Sequence, residues 1–94
     1  MTKEDIKILL VDDERQFVDT LAERLAMRGF AARVAYDGPE ALKAVDQPTD
    51  VIVLDLRMPG MDGFEVLRNV KKSNPQVQVI ILTGHGGDAE EQTA

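Results

Sequence analysis

Four short apolar segments alternate with segments of helical periodicity, and this alternation restricts the fold of the chain more than any other feature. The apolar segments cover residues 6–11, 31–35, 51–54 and 77–82. The first, third and fourth are almost uninterrupted apolar runs, which is typical of strands that are covered on both faces. Strands separated by helices form βαβ units, so the sequence predicts an α/β domain with a parallel sheet between two layers of helices.

The helical segments between the strands have recognisable ends. Helices are predicted over residues 14–28, 39–46 and 62–72, and residues 88–92 open a fourth. In the first helix Phe17, Leu21 and Leu25 recur every four residues with Val18 and Ala22 beside them, and Gly29 follows as a C-terminal stop. Asp62 is suited to cap the third helix.

Composition narrows the possible functions. A chain of 94 residues predicts a single domain, and its net charge of −6 argues against nucleic acid as a direct partner. The absence of cysteine excludes disulfides and thiolate metal sites and fits a cytoplasmic protein. No signal peptide is visible, and no apolar run approaches the ~20 residues that span a membrane.

Polar residues stand where three of the predicted strands end. Asp12 and Asp13 follow the first strand, Asp55 follows the third and Thr83 follows the fourth. In open parallel sheets, ligands bind beyond the carboxyl ends of the strands. The sequence therefore predicts that these three carboxylates and one hydroxyl lie on one rim of the sheet.

Each of these residues alone has a simpler interpretation, as a helix cap, a turn residue or the end of a strand. Bringing the three carboxylates together costs free energy, because two unit charges ~4 Å apart repel by about 4 kcal/mol at an effective dielectric near 20. A domain that is stable by about 5–15 kcal/mol needs compensation for such a cluster. Mg²⁺, with Mn²⁺ as a substitute, suits carboxylate oxygens and water, and the single histidine makes zinc a poorer fit.

The same motifs resemble the receiver domain of bacterial two-component response regulators. The resemblance rests on Asp12-Asp13, on Asp55 within the run VLDLRMPGMDG at residues 53–63, and on Thr83-Gly84. It covers essentially the whole chain. It implies a flavodoxin-like, three-layer sandwich whose parallel strands lie in the order 2-1-3-4.

The resemblance also implies roles for individual residues. Asp55 is expected to accept the phosphoryl group, and Thr83 to donate a hydrogen bond to it. Mg²⁺ is expected to bind Asp12, Asp13, Asp55 and the backbone carbonyl of Arg57. Such a domain is not an enzyme beyond catalysing its own phosphorylation and dephosphorylation. Arg57 and His85 are candidates for setting the lifetime of the phosphoryl group, although a solvated turn residue is the simpler interpretation of His85.

The partners implied are a sensor histidine kinase or phosphotransfer protein as donor, and an output domain or protein as recipient of the signal. A receiver-like interaction module that is never phosphorylated is the alternative. The family pattern continues through a fifth strand that ends in a lysine, and through a fifth helix. The last lysine here is Lys72, so residues 1–94 are interpreted as a receiver domain that stops near the start of the fourth helix, without an effector domain.

Without a fifth strand, residues 77–82 are expected to form an exposed apolar edge. Such an edge is open to pairing or strand exchange with another copy of the chain.

Three other classes of phosphate-handling protein fit this sequence less well. A phosphatase of the haloacid dehalogenase type needs a second Asp where Arg57 stands. A flavodoxin needs a phosphate-binding loop where Asp12-Asp13-Glu14 would repel phosphate. A P-loop nucleotidase needs Gly and Lys at a spacing that is missing here.

Overall fold

The alternation of strands and helices is confirmed by the computed structural model, which describes residues 2, 5–57 and 63–82. The elements in chain order are β1 (Lys7–Val11), α1 (Arg15–Met27), β2 (Ala31–Ala35), α2 (Gly38–Ala44), β3 (Val51–Asp55), α3 (Gly63–Ser73) and β4 (Gln78–Leu82). Their ends lie within two residues of the predicted ends. The expected cap at Asp62 and the expected helix at residues 88–92 lie outside the described residues.

The four strands form one parallel sheet in the order β2-β1-β3-β4, as expected. In the register, Leu10 is paired with Val34 of β2 on one side and with Val53 of β3 on the other. The chain therefore leaves β1 in one direction to form β2 and returns past it to form β3. This reversal creates a crevice beyond the carboxyl ends of β1 and β3, where ligands bind in folds of this kind.

Helices cover both faces of the sheet and make the three layers that were predicted. Alternate residues of β1 point to opposite faces, so Leu9 packs beneath α2 and α3 while Leu10 packs beneath α1. The core under α2 and α3 is built from Leu9, Val11, Ala35, Ala41, Val45, Ile52, Leu54, Val66, Val70 and Val77. The smaller core under α1 has Ile8, Leu10 and Val18 at its centre.

The first helix ends as predicted, and its expected apolar face packs against the sheet except at Phe17. Gly29 has φ 93°, and the N–H groups of Gly29 and Phe30 donate to the carbonyls of Ala26 and Leu25, which is a Schellman ending. Val18 is buried, whereas Phe17 is 46 % exposed and lines an open groove of about 430 Å³. Leu21, Ala22 and Leu25 pack against the same core as Val18, as expected, so Phe17 is the residue that was wrongly placed on the buried face.

The fourth strand is more exposed than its apolar sequence predicts. Ile80 is 52 % exposed and Ile81 is 36 % exposed, so the expectation of cover on both faces is wrong for β4. Within the part of the chain that the structure describes, β4 pairs with β3 alone and is an edge strand. The expected exposed apolar edge is therefore present, and its pairing with another copy stays a prediction.

Candidate metal centre

Asp12 is held at the carboxyl end of β1 by its own backbone and side chain. Its N–H donates to the carbonyl oxygen of Ala35 at 3.1 Å, which extends the pairing with β2 by one residue. Its Oδ1 accepts the backbone N–H of Glu14 at 2.9 Å, and the residue is 1 % exposed. This short turn points the carboxylate into the crevice and leads the chain directly into α1.

Asp55 is held in the same way at the end of β3. Its Oδ1 accepts the backbone N–H of Arg57 at 2.9 Å, and the residue is 1 % exposed. The Oδ2 atoms of Asp55 and Asp12 are buried as well. Both carboxylates are therefore oriented by the backbone before any ligand arrives.

Asp13 completes the cluster from the exposed side. One carboxylate oxygen each from Asp12, Asp13 and Asp55 lies within 4.8 Å of the other two. The topology thus brings together acids that are more than forty residues apart in the chain. The structure places these three residues together as the sequence predicts, and their individual roles stay predictions.

The chemistry of this cluster suits a hard divalent cation. Carboxylate oxygens are the ligands that Mg²⁺, Mn²⁺ and Ca²⁺ prefer, and an exposed acid at the rim leaves room for coordinated water. Two of the three acids are buried, so the cluster carries a repulsion that a cation would remove. The residues present therefore fit such an ion. The side chain of Arg57 is exposed, and the ligation of an ion by its carbonyl oxygen stays a prediction.

Gly63 fixes the return of the chain beside Asp55. A Cβ atom at this position would lie 2.4 Å from the Cα atom of Leu56 and 3.0 Å from the carbonyl oxygen of Asp55. No other residue type fits such a close approach without moving the backbone that carries Asp55. The sequence indicates a structural role for this glycine but does not identify the contact.

Thr83 and His85 lie outside the described residues, as do residues 58–62. Their predicted roles therefore rest on the sequence alone.

Among the described residues, none of the helices combines the length and the apolar character that crossing a bilayer requires.

Comparison with known proteins identifies the family. The family model for the response regulator receiver domain matches residues 8–94. The chain belongs to this family, and phosphorylation-based switching is the family's standard function. Receiver domains are not classical enzymes; they interact with histidine kinases or phosphotransfer proteins and bind a divalent ion at an acidic pocket. The cluster of Asp12, Asp13 and Asp55 has the composition of such a pocket, and its binding of an ion stays a prediction.

Individual relatives agree with this assignment. The chain is 40% identical over 84 residues to the transcriptional regulatory protein CpxR of Escherichia coli, and the match covers 89% of the chain and 36% of CpxR. The chain thus spans little more than a third of that relative.

Solved receiver structures show the same fold. The receiver domain of the Francisella response regulator 1452 superposes with a TM-score of 0.78 at 32% identity, covering 94% of this chain and 73% of that one. A response regulator from Burkholderia pseudomallei, solved with a phosphorylated aspartic acid, a calcium ion and citrate, gives a TM-score of 0.80 at 32% identity. That match covers 86% of this chain and 48% of the other.

Proposed function

We propose that this chain is a phosphoryl-accepting switch in which Asp55 receives a phosphoryl group from a histidine of a sensor kinase or phosphotransfer protein. The observation that carries the proposal is the position of Asp55, buried at the end of β3 with a carboxylate oxygen within 4.8 Å of those of Asp12 and Asp13. The proposal treats residues 1–94 as one receiver domain that works in the cytoplasm.

The reaction exchanges one bond at phosphorus for another. A carboxylate oxygen of Asp55 attacks and forms a P–O bond, while the P–N bond to the donor histidine breaks and its electron pair stays on the imidazole nitrogen. The N–H of Arg57 holds Oδ1 of Asp55 and so orients the nucleophile.

The metal in this proposal is Mg²⁺, for which Mn²⁺ substitutes. Asp12, Asp13, one oxygen of Asp55 and the backbone carbonyl of Arg57 would hold it, with water in the remaining positions. The ion supplies neutralisation of the charge shared by the phosphoryl oxygens and the attacking carboxylate. The phosphorylated aspartic acid and calcium ion of the Burkholderia relative support an acidic pocket of this kind here.

Phosphorylation is proposed to change what the chain binds. The modification adds about −1.5 to −2 charges to a pocket that is already acidic. A hydrogen bond from the Thr83 hydroxyl to the phosphoryl group draws the loop after β4 inward and alters a surface that contacts an output domain or partner. Arg57, whose exposed side chain follows Asp55 by two residues, is the candidate for tuning the lifetime of the acyl phosphate, and for His85 a solvated turn residue stays the simpler interpretation.

The acceptor can be tested by mass spectrometry of the intact protein after incubation with Mg²⁺ and acetyl phosphate. Asp50 offers a matched control, because it precedes β3 just as Asp55 ends it, and its Oδ2 accepts the N–H of Lys7 at 2.8 Å. Wild type and Asp50→Asn should gain one phosphoryl group, and Asp55→Asn should gain none. Equal labelling of wild type and Asp55→Asn would reject Asp55 as acceptor. Binding of Mg²⁺ without any labelling would favour an interaction module that is not phosphorylated.

A further inference from the structure

Tyr36 lies next to the metal centre without belonging to it. It directly follows β2, whose last residue, Ala35, accepts the N–H of Asp12. Tyr36 is therefore on the same rim of the sheet as the acidic cluster. Its side chain is half-buried and contacts the helix that follows Asp13.

The side chain of Tyr36 is bound to α1 at two positions. The hydroxyl donates to Oδ1 of Asp19 at 2.6 Å, and the guanidinium carbon of Arg15 lies 3.9 Å from the centre of the ring. Arg15 and Asp19 are four residues apart and so share one face of the helix. Because Arg15 is the first residue of α1, this contact fixes the start of the helix.

The backbone of Tyr36 is bound to α2. Its N–H donates to Oε1 of Glu40 at 2.7 Å, and the N–H of Glu40 donates to Oδ1 of Asp37 at 2.8 Å. These two bonds cap the start of α2 and hold Tyr36 in place from the side opposite to α1. Tyr36 is thus held by contacts with both α1 and α2.

These contacts define both ends of the loop formed by residues 12–14. Ala35 holds the loop where it leaves β1, and Tyr36 holds it where it enters α1 through Arg15. Asp12 is also held by the N–H of Glu14, whereas Asp13 is exposed. The position of the Asp13 carboxylate relative to Asp55 therefore depends on how firmly the start of α1 is fixed.

We propose that Tyr36 is a positioning residue for the metal centre, which holds the loop of residues 12–14 so that Asp13 faces Asp55. This inference rests on the proposed metal site and adds a residue to its support. Groups that hydrogen-bond a metal ligand directly contribute about 10-fold or more to metal affinity, and Tyr36, which contacts the start of α1 and not a ligand, should contribute less.

The test measures the Mg²⁺ dissociation constant of the full chain by calorimetry, far below the unfolding temperature. Tyr36→Ala should weaken binding measurably, by up to about 10-fold, while Tyr36→Phe, which keeps the ring beneath Arg15, should retain most of the affinity. Arg33→Ala is the matched control, because Arg33 is also on β2 but binds Ala44 and Thr49 away from the cluster. It should lower stability and leave the affinity unchanged.

A spectroscopic signal separates positioning from simple stabilisation. The chain has one tyrosine and no tryptophan, so its ultraviolet fluorescence reports Tyr36 alone. Addition of Mg²⁺ should change this signal in wild type and not in Asp13→Asn.

The outcomes distinguish this inference from the proposed function. Wild-type affinity in Tyr36→Ala, or in Tyr36→Leu if Tyr36→Ala does not fold, would overturn the role of Tyr36 and leave the metal site intact. A tyrosine signal that ignores Mg²⁺ in a wild type that binds the ion would do the same. Absence of Mg²⁺ binding by wild type would overturn both.

Discussion

Asp12 and Asp55 are held by the same type of side-chain-to-backbone hydrogen bond at the ends of neighbouring parallel strands. In each residue Oδ1 accepts the backbone N–H of the residue two positions ahead, at 2.9 Å in both cases. Each carboxylate is thereby turned back over the end of its own strand and toward the other. The acidic cluster is a consequence of the strand order, since β1 and β3 are adjacent and Asp13 follows Asp12 directly.

Repulsion between the clustered acids should make the metal-free wild type less stable than a variant that lacks one of the charges. Asp13→Asn removes one charge from the cluster, so we expect it to raise the urea midpoint in the presence of a chelator. The same substitution should abolish most of the stabilisation by Mg²⁺, which for wild type reaches about 2.7 kcal/mol at a hundredfold excess over the dissociation constant. Glu23→Gln, which neutralises an exposed acid on α1, should change neither value. A lower midpoint for Asp13→Asn in chelator would contradict a repulsive cluster.

Gly63 should tolerate no side chain. In Gly63→Ala the new Cβ atom meets the backbone of Leu56 and Asp55, which cannot move without displacing the carboxylate of Asp55. We expect a loss of about 1–3 kcal/mol in the free energy of unfolding, measured by urea denaturation. Asn69→Ala, on the exposed side of α3, should stay within about 0.5 kcal/mol of wild type. Equal stability of Gly63→Ala and wild type would show that α3 does not approach β3 as closely as described.

The central elements of the fold and the acidic cluster are predictable from the sequence, because they follow from local patterns. Apolar runs indicate strands, and Asp residues at strand ends meet wherever parallel strands share a rim. The capping of α2 was also readable, since Asp37 precedes Glu40 by three residues, a spacing that marks helix starts. Pro39, which suits the first turn of a helix, instead predicts a start one residue after the observed one.

Other features depend on contacts between distant segments and have no periodic signature. The approach of Tyr36 to Asp19 and Arg15 requires that β2 lie beside the start of α1, which no local pattern specifies. The exposure of Phe17 and Ile80 depends on which neighbours cover them, so an apolar residue type alone predicts the wrong environment.

The phenol of Tyr36 should titrate above its ordinary pKa of 10.0. The hydrogen bond to Asp19 raises the pKa of Tyr36, desolvation and the charge of Asp19 add to this, and Arg15 opposes it. Because the pKa is raised in the folded state, the stabilisation is complete below the ordinary pKa and is lost as the pH rises through the folded value.

Alkaline titration followed by ultraviolet absorbance measures this pKa directly, since Tyr36 is the sole tyrosine. Asp19→Ala should lower it, and Glu23→Ala, one turn further along α1, should not. Identical titration curves for wild type and Asp19→Ala would exclude the hydrogen bond in solution.

The exposed apolar edge at β4 should promote association between copies of the chain. Ile80 is 52 % exposed, so Ile80→Lys should cost little stability, whereas Ile52→Ala at a 1 % exposed position should cost about 2–5 kcal/mol. Analytical ultracentrifugation over a range of concentrations should show self-association of wild type that Ile80→Lys reduces. A wild-type protein that is monomeric at every concentration would exclude edge pairing.

The central claim is that Asp12, Asp13 and Asp55 hold one metal ion at the point of phosphoryl transfer. A crystal structure of the protein grown with Mn²⁺, with the ion located by its anomalous scattering, tests this directly. The account predicts a single ion bound to Asp13 and Asp55, with Asp12 beside it directly or through water. An ion bound elsewhere, with the carboxylates of residues 13 and 55 turned away from it, would contradict the account.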